Sequence, residues 1–293
     1  QENLAKGLSL VGRAVTTRST LPVLANIMTA TDNSRLRLSA TNLELGITCW
    51  IGAKVEDEGS TTIPANTLVD LVNTLPKERV DMSLTLRTHT MNVRCGSYNN
   101  DIKCIDAQEF PLLPSADTED AIELNIQDLC EMIEHVVFAS ATDDSRPVLT
   151  GVEVKIDGDN LSFAAADGFR LAVRKGTLSS PATEPITAII PARALIELGR
   201  IAGDPDDPVA MTLLSGRNQV IFQLKDVELV SQLIEGTYPD YEQLIPSAHT
   251  TRSVVPTGEF RNACRAASIF ARESAYTVRL KIVPGGELDP GTI

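Results

Sequence analysis

The 293-residue chain has little of what catalysis needs. Its three histidines, His89 in a hairpin turn, His135 on a helix and His249 in a link, have no partner at a catalytic or metal-ligating spacing. The patterns of nucleophile elbows, zinc hydrolases, P-loops and dinucleotide-binding turns do not occur. Asp143-Asp144 and Asp206-Asp207 are adjacent acids in loops, where neighbouring side chains diverge or face water, so neither pair reads as a metal site. The five cysteines (Cys49, Cys95, Cys104, Cys130, Cys264) are odd in number and scattered, with no C-x-x-C pair. That pattern indicates neither a disulfide framework nor a zinc site, and reads as reduced, mostly core cysteines in a cytoplasmic protein. No stretch of 18 consecutive apolar residues occurs, so no membrane-spanning helix is expected. The opening QENLAKGLSLVGRAV is amphipathic and lacks the basic start and continuous apolar core of a signal peptide. Positive charge is also short: 26 Lys and Arg stand against 39 Asp and Glu, for a net charge of −13. On its face that balance argues against nucleic acid as a partner. What is left is a scaffold or binding protein with no cofactor.

What the chain does have is internal repetition. LRLSATNLELGIT at 36–48 returns as LSFAAADGFRLAV at 161–173: Leu36 falls on Leu161, Leu38 on Phe163, Ala40 on Ala165 and Asn42 on Asp167. The neighbourhoods repeat too, at shifts of 125 to 128 residues. A helical pattern over 2–15, with Leu4, Leu8 and Val11, recurs as Leu129, Ile133 and Val136. Pro22-Val23-Leu24, read as the entry to a strand, recurs as Pro147-Val148-Leu149, and Ile63-Pro64-Ala65, opening a second helix, as Ile190-Pro191-Ala192. The hairpin over 82–95 recurs over 209–222. A third copy opens with PTGEFRNACRAASIFARE, helical with Phe260, Ala263, Cys264 and Ala267 on one face, followed by the strand-like AYTVRLKIV. At Ile293 this copy is about 45 residues long where its siblings run to about 125, so most of a third domain is expected to be missing. Each unit is helix, strands, helix, strands, an α+β module with two helices and roughly eight short strands. The units are placed at 1–115, 116–247 and 248–293.

Four stretches, ATDDSRPVLTGVEV, AAADGFRLAV, IIPARALIEL and EGTYPDYEQLIP, in this order and spacing, resemble the bacterial sliding clamps, the β subunits of DNA polymerase III. The resemblance covers the whole chain and its threefold repeat. It implies repeated DNA-clamp domains, each with two helices packed on antiparallel sheets, arranged as a head-to-tail homodimeric ring with helices lining the hole. It implies a processivity factor without catalytic activity. Its partners would be duplex DNA read without regard to sequence, the polymerase III catalytic subunit, the clamp loader and other proteins with clamp-binding motifs. A ring needs positive charge only on its inner wall, so an acidic total does not exclude DNA.

Sliding calls for weak, sequence-blind phosphate contacts from scattered Lys and Arg on the inward helices. Lys6 and Arg13 on the first helix, Arg193 and Arg200 after IPA, and Arg261 and Arg265 in the third repeat are the candidates. The resemblance assigns the family's DNA-contacting loop arginines to Arg18 and Arg146, and a basic helix-start position to Arg193. The helix over 126–139 departs from this, with Asp128, Glu131 and Glu134 but no Lys or Arg. The resemblance also implies a groove for short partner peptides, walled by Leu149, Gly168, Arg170, Leu171, Pro239 and Leu244. Ala166 and Phe169 align there too, although the family often carries Thr or His at those positions. In the family the extreme C-terminus completes this groove, and the third domain meets the first domain of the second subunit. An incomplete groove and no closed dimer are therefore expected of a shortened third copy. The alternative reading is a clamp-like scaffold that binds peptides but does not encircle DNA, and the acidic helix is the feature in its favour.

Overall fold

The computed structural model describes residues 1–17, 19–115, 121–143, 145–203, 207–214, 216–274, 276–285 and 291–293. They fall into two units, Gln1–Pro239 and Asp240–Ile293.

In the first unit the repeat is visible element by element. Helix α1 (Glu2–Val11) buries Leu4, Leu8 and Val11 along one stripe, as their 3-4-3 spacing requires. Strands β1 (Asn26–Asp32), β2 (Arg35–Thr41), β3 (Leu45–Gly52) and β4 (Ser60–Pro64) follow, then α2 (Ala65–Thr74) and β5 (Asp81–Thr85), β6 (Thr90–Cys95) and β7 (Tyr98–Lys103). The second repeat is β8 (Ile122–Asn125), α3 (Ile126–Val136), β9 (Gly151–Asp157), β10 (Asn160–Ala166), β11 (Leu171–Thr177), β12 (Ile186–Pro191), α4 (Ala192–Ile201), β13 (Pro208–Leu214), β14 (Gln219–Gln223) and β15 (Val227–Gln232). Only β8 has no counterpart among the described residues of the first repeat.

All strand pairs among the described residues are antiparallel. The order β4-β1-β2-β3 of the first repeat recurs as β12-β9-β10-β11 in the second. The two repeats are joined within one sheet, because β3 pairs with β15 and makes the eight-stranded order β4-β1-β2-β3-β15-β14-β13-β8. The register at this seam sets Val227 against Cys49, Leu229 against Ile47 and Ser231 against Leu45. Leu229 and Ile47 are both fully buried there, so one apolar core runs from the first repeat into the second. Helix α1 packs on α2 and α3 on α4. A smaller cluster of Val23, Leu24 and Phe110 anchors the segment after β7.

Three expectations need correction. Pro22–Ala25 is a short 3-10 turn and the strand starts at Asn26, since proline donates no backbone hydrogen bond and the turn supplies the chain reversal into β1. The stretch AYTVRLKIV forms no strand among its described residues, and an isolated bridge between Val283 and Thr292 is the pairing present. A strand needs a neighbour for its backbone groups, and sequence alternation alone does not provide one. The cysteines are also less buried than expected: Cys49 and Cys95 are buried, Cys104 and Cys130 half-buried, and Cys264 exposed.

In the second unit α5 (Thr257–Ala271) forms where the periodicity places it. Its apolar face is only partly covered: Phe260 and Ala267 are half-buried, while Cys264 and Phe270 are exposed. Among the described residues no helix is long and apolar enough to cross a membrane. Nor does any cluster of three His, Cys, Asp or Glu stand in position to hold a metal ion.

Candidate nucleic-acid and peptide surfaces

The candidate cations of the first unit sit on its helices, in differing states. Lys6 lies on α1, exposed, on the side away from buried Leu4 and Leu8. Arg193 is exposed in the first turn of α4. Neither makes an ion pair among the described residues, so both are available to a phosphate. Arg13, just past the end of α1, is engaged differently: its Nη1 lies 3.1 Å from Glu197 Oε2 on α4. Arg200 approaches the other oxygen of the same carboxylate at 2.7 Å. Glu197 is nearly buried, its side chain 11% exposed, and it ties the helices of the two repeats together beside the strand seam. Arg13 and Arg200 therefore serve this junction first. Arg18 and the acids Asp144 and Asp206 lie outside the described residues. Arg261 and Arg265 are exposed on α5.

The acidic helix is less acidic in its setting than in its sequence. Asp128, Glu131 and Glu134 all face solvent on α3. However, Arg174 on β11 donates to Glu131 at 3.0 Å, and His135 Nδ1 lies 3.7 Å from the same oxygen. Glu131 occupies in α3 the place that Lys6 holds in α1, so the repeats carry opposite charges at one position.

The candidate peptide residues gather around the β10–β11 turn. Asp167 organises it: its carboxylate accepts hydrogen bonds from the Phe169 and Arg170 amides at 2.9 and 3.0 Å and from Arg170 Nε at 2.9 Å. The Phe169 amide foremost, then the Arg170 groups, hold its carboxyl below the ordinary aspartate range. Gly168 has φ +92°, a conformation an L side chain rarely adopts. Locked this way, the turn holds Phe169 95% exposed. The Arg170 guanidinium stands 5.7 Å from the ring of Phe138, itself largely exposed. Leu149 is buried at one side, and Leu171 is half-buried at the start of β11.

Tyr238 closes the far side, its hydroxyl accepting the Ala166 amide at 2.8 Å, and Pro239 follows it, exposed. Leu244 belongs to the second unit, where it is 71% exposed. Tyr238 and Phe138 were not singled out as groove residues from sequence; the signal was available for Tyr238, inside the stretch EGTYPDYEQLIP, but Phe138 carries none.

Arg146 is the candidate that the structure relocates. Assigned to DNA, it also reaches the peptide turn: Nη2 is 3.5 Å from the Asp167 carbonyl oxygen. Its Nη1 lies 2.9 Å from where a Cβ on Gly168 would stand. The loop that carries it is braced by Asp143, which accepts from the Ser145 amide at 2.9 Å and from the Ser145 hydroxyl.

Comparison with known proteins agrees with this geometry. Residues 1–114 match the N-terminal domain of the DNA polymerase III beta subunit, and residues 123–240 match its central domain. The beta sliding clamp of Synechococcus elongatus is 37% identical over 292 residues, spanning 97% of this chain and 76% of that protein. That of Staphylococcus epidermidis is 33% identical, spanning 94% of this chain and 74% of that one. The sliding clamp structure from Bacillus subtilis superposes with a TM-score of 0.88 at 28% identity, covering 99% of this chain and 80% of that one. The Pseudomonas aeruginosa clamp bound to griselimycin superposes at 0.85 with 27% identity, covering 92% and 72%. Two matched domains, relatives over nearly the full chain and a shared fold lead to one assignment: the chain belongs to the DNA polymerase III beta subunit family, the sliding clamps, which are non-catalytic processivity factors.

Proposed function

We propose that this chain acts in the homodimeric ring of the full-length protein, encircling duplex DNA and tethering the polymerase III catalytic subunit, the clamp loader and other motif-bearing proteins in the cytoplasm. The observation that carries the reading is the seam. Strands β3 and β15 fuse two repeats into one sheet, and free cations stand on the helices that the same core supports. Lys6, Arg193 and Arg146 supply phosphate contacts on this reading, as does Arg18. Arg13 holds the junction and contributes its charge secondarily. The surface around Leu149, Ala166, Gly168, Phe169, Arg170, Leu171 and Pro239 receives partner peptides, and Leu244, in the second unit, is assigned to them by the resemblance alone. An apolar surface edged by guanidinium groups suits short segments with aliphatic and aromatic anchors. Strand β7 ends its sheet with its outer edge unpaired among the described residues and Tyr98 51% exposed, which suits a subunit contact. The domains of this arrangement are 1–115, 116–247 and 248–293.

The deciding experiment loads the full-length protein with its clamp loader and ATP onto a nicked circular plasmid, isolates the complex and cuts the DNA once. Release on cutting is the expected result, since a topological link is lost with the circle. Retention after cutting, or no association with the circle, sinks the sliding mechanism; the second outcome favours a peptide scaffold. For the groove, labelled griselimycin is the probe. Phe169→Ala and Arg170→Ala, both at exposed positions, are expected to weaken its binding several-fold.

A further inference from the structure

We infer that Arg146 is a gate shared by the DNA and the peptide groove, so that DNA bound to the clamp opens the groove to its partners. This rests on the groove reading above and adds to it a regulation. Three observations carry it.

The first is placement. The Arg146 guanidinium lies against Gly168, where a Cβ would come within 2.9 Å of Nη1 and 3.2 Å of Nη2. In this position it covers the backbone of the one groove residue that has no side chain of its own.

The second is the weakness of the hold. Among the described residues one hydrogen bond holds the guanidinium, to the Asp167 carbonyl oxygen at 3.5 Å; Asp143 adds only a longer-range attraction, and the residue is exposed. A contact of that length contributes little. The Asp167 carboxylate does not compete for Arg146, because it is already taken by Phe169 and Arg170.

The third is the alternative available to the charge. A phosphate offers a guanidinium a bidentate, charge-assisted partner far stronger than a long contact to a neutral carbonyl. A phosphate within reach of the exposed Arg146 side chain draws it away from Gly168 without disturbing the Asp167 turn, which has its own bonds.

Two positions of one side chain, each favoured by a different ligand state, make a two-state element. Linkage then requires reciprocity: DNA tightens peptide binding, and peptide tightens DNA binding by the same factor.

The test measures labelled griselimycin binding by fluorescence anisotropy at low salt, with and without a short DNA duplex. For the unaltered protein the duplex is expected to tighten binding, by about fivefold at the low end of measured couplings. Arg146→Ala is expected to bind the probe tightly without DNA and to show no further effect of the duplex. Lys6→Ala serves as comparison: it weakens the duplex but keeps the full enhancement once the duplex is saturating. If Arg146→Ala binds the probe no better than the unaltered protein, or still responds to the duplex, the gate is overturned while the groove stands. Failure of the unaltered protein to bind the probe overturns the groove and the gate together.

Discussion

At the residue scale the most informative group is a buried acid. Glu228 on β15 is 7% exposed and faces Thr48 across the seam. Burial pushes its carboxyl up to about 7, opposed in part by Arg37, whose buried Nε has no acceptor among the described residues. A carboxyl raised in the folded state keeps its proton over a range where the unfolded chain has lost its own. Folding stability attributable to Glu228 is thus intact below its ordinary pKa of 4.5 and declines as pH climbs to about 7. The total is about 3 kcal/mol at 1.4 kcal/mol per pH unit. Glu228→Gln is expected to remove this decline, so that denaturation midpoints at pH 5 and pH 8 converge, and to raise stability at pH 8. Gly168→Ala is expected to cost about 1–2 kcal/mol for the positive φ alone, read by urea unfolding. None of this was legible in the sequence. The sequence does mark Asp167-Gly168 as a turn, by residue chemistry, but a raised pKa and a guanidinium seated on a glycine depend on groups 22 to 191 positions apart in the chain.

Among the elements, local order was the legible part. Apolar spacing in α1, α2 and the 82–95 hairpin predicted their place and type, because one buried stripe or one buried face leaves its period in the residues. The repeat reinforced this, since each element was seen twice. Pro22-Val23-Leu24 misled because a short apolar run fits either a strand or a turn, and the proline decides only once its neighbours are known. The partner of Arg13 could not be foreseen either, for Glu197 is 184 residues away and reads as one more helix-surface acid. A double-mutant cycle of Arg13→Ala and Glu197→Ala is expected to return a coupling of about 1 kcal/mol, against near zero for Lys6 with Glu197. Leu229→Pro removes a donor from the middle of β15 and places a ring in a fully buried ladder; a loss of about 3 kcal/mol or more is expected. The single tryptophan reports on it. Trp50 donates its amide to the Asp226 carbonyl at 2.9 Å and its indole to Asp32 at 2.8 Å, so its fluorescence should shift when the seam opens.

For the whole molecule, charge decides how it holds its substrate. A protein of net charge −13 cannot grip DNA by its average field, and of the candidate phosphate contacts in the first unit only Lys6, Arg146 and Arg193 make no ion pair among the described residues. Each neutralised phosphate contributes a slope of about −0.9 to the plot of log K against log salt. Short duplex DNA with free ends is therefore expected to bind weakly, with a slope of about −3 per subunit, measurable by anisotropy titration at several salt concentrations. A slope near −10 would describe a protein that grips DNA and does not slide. The sequence pointed to this balance by its totals, but which cations remain free became clear only once Arg13 and Arg200 were found bound to Glu197.

The seam between β3 and β15 joins two unlike edges. The strand that ends the first sheet of one repeat meets the strand that ends the second sheet of the next, and the two are not interchangeable. A joint of that kind has a sense, as a screw thread does. Any closed chain of such joints has a front and a back, however alike its repeats. In the ring proposed above, a groove that recurs at the same place in each subunit would open toward the same side. Proteins docking there would all ride one face, and such a ring would carry its own arrow along a duplex whose two strands run in opposite directions.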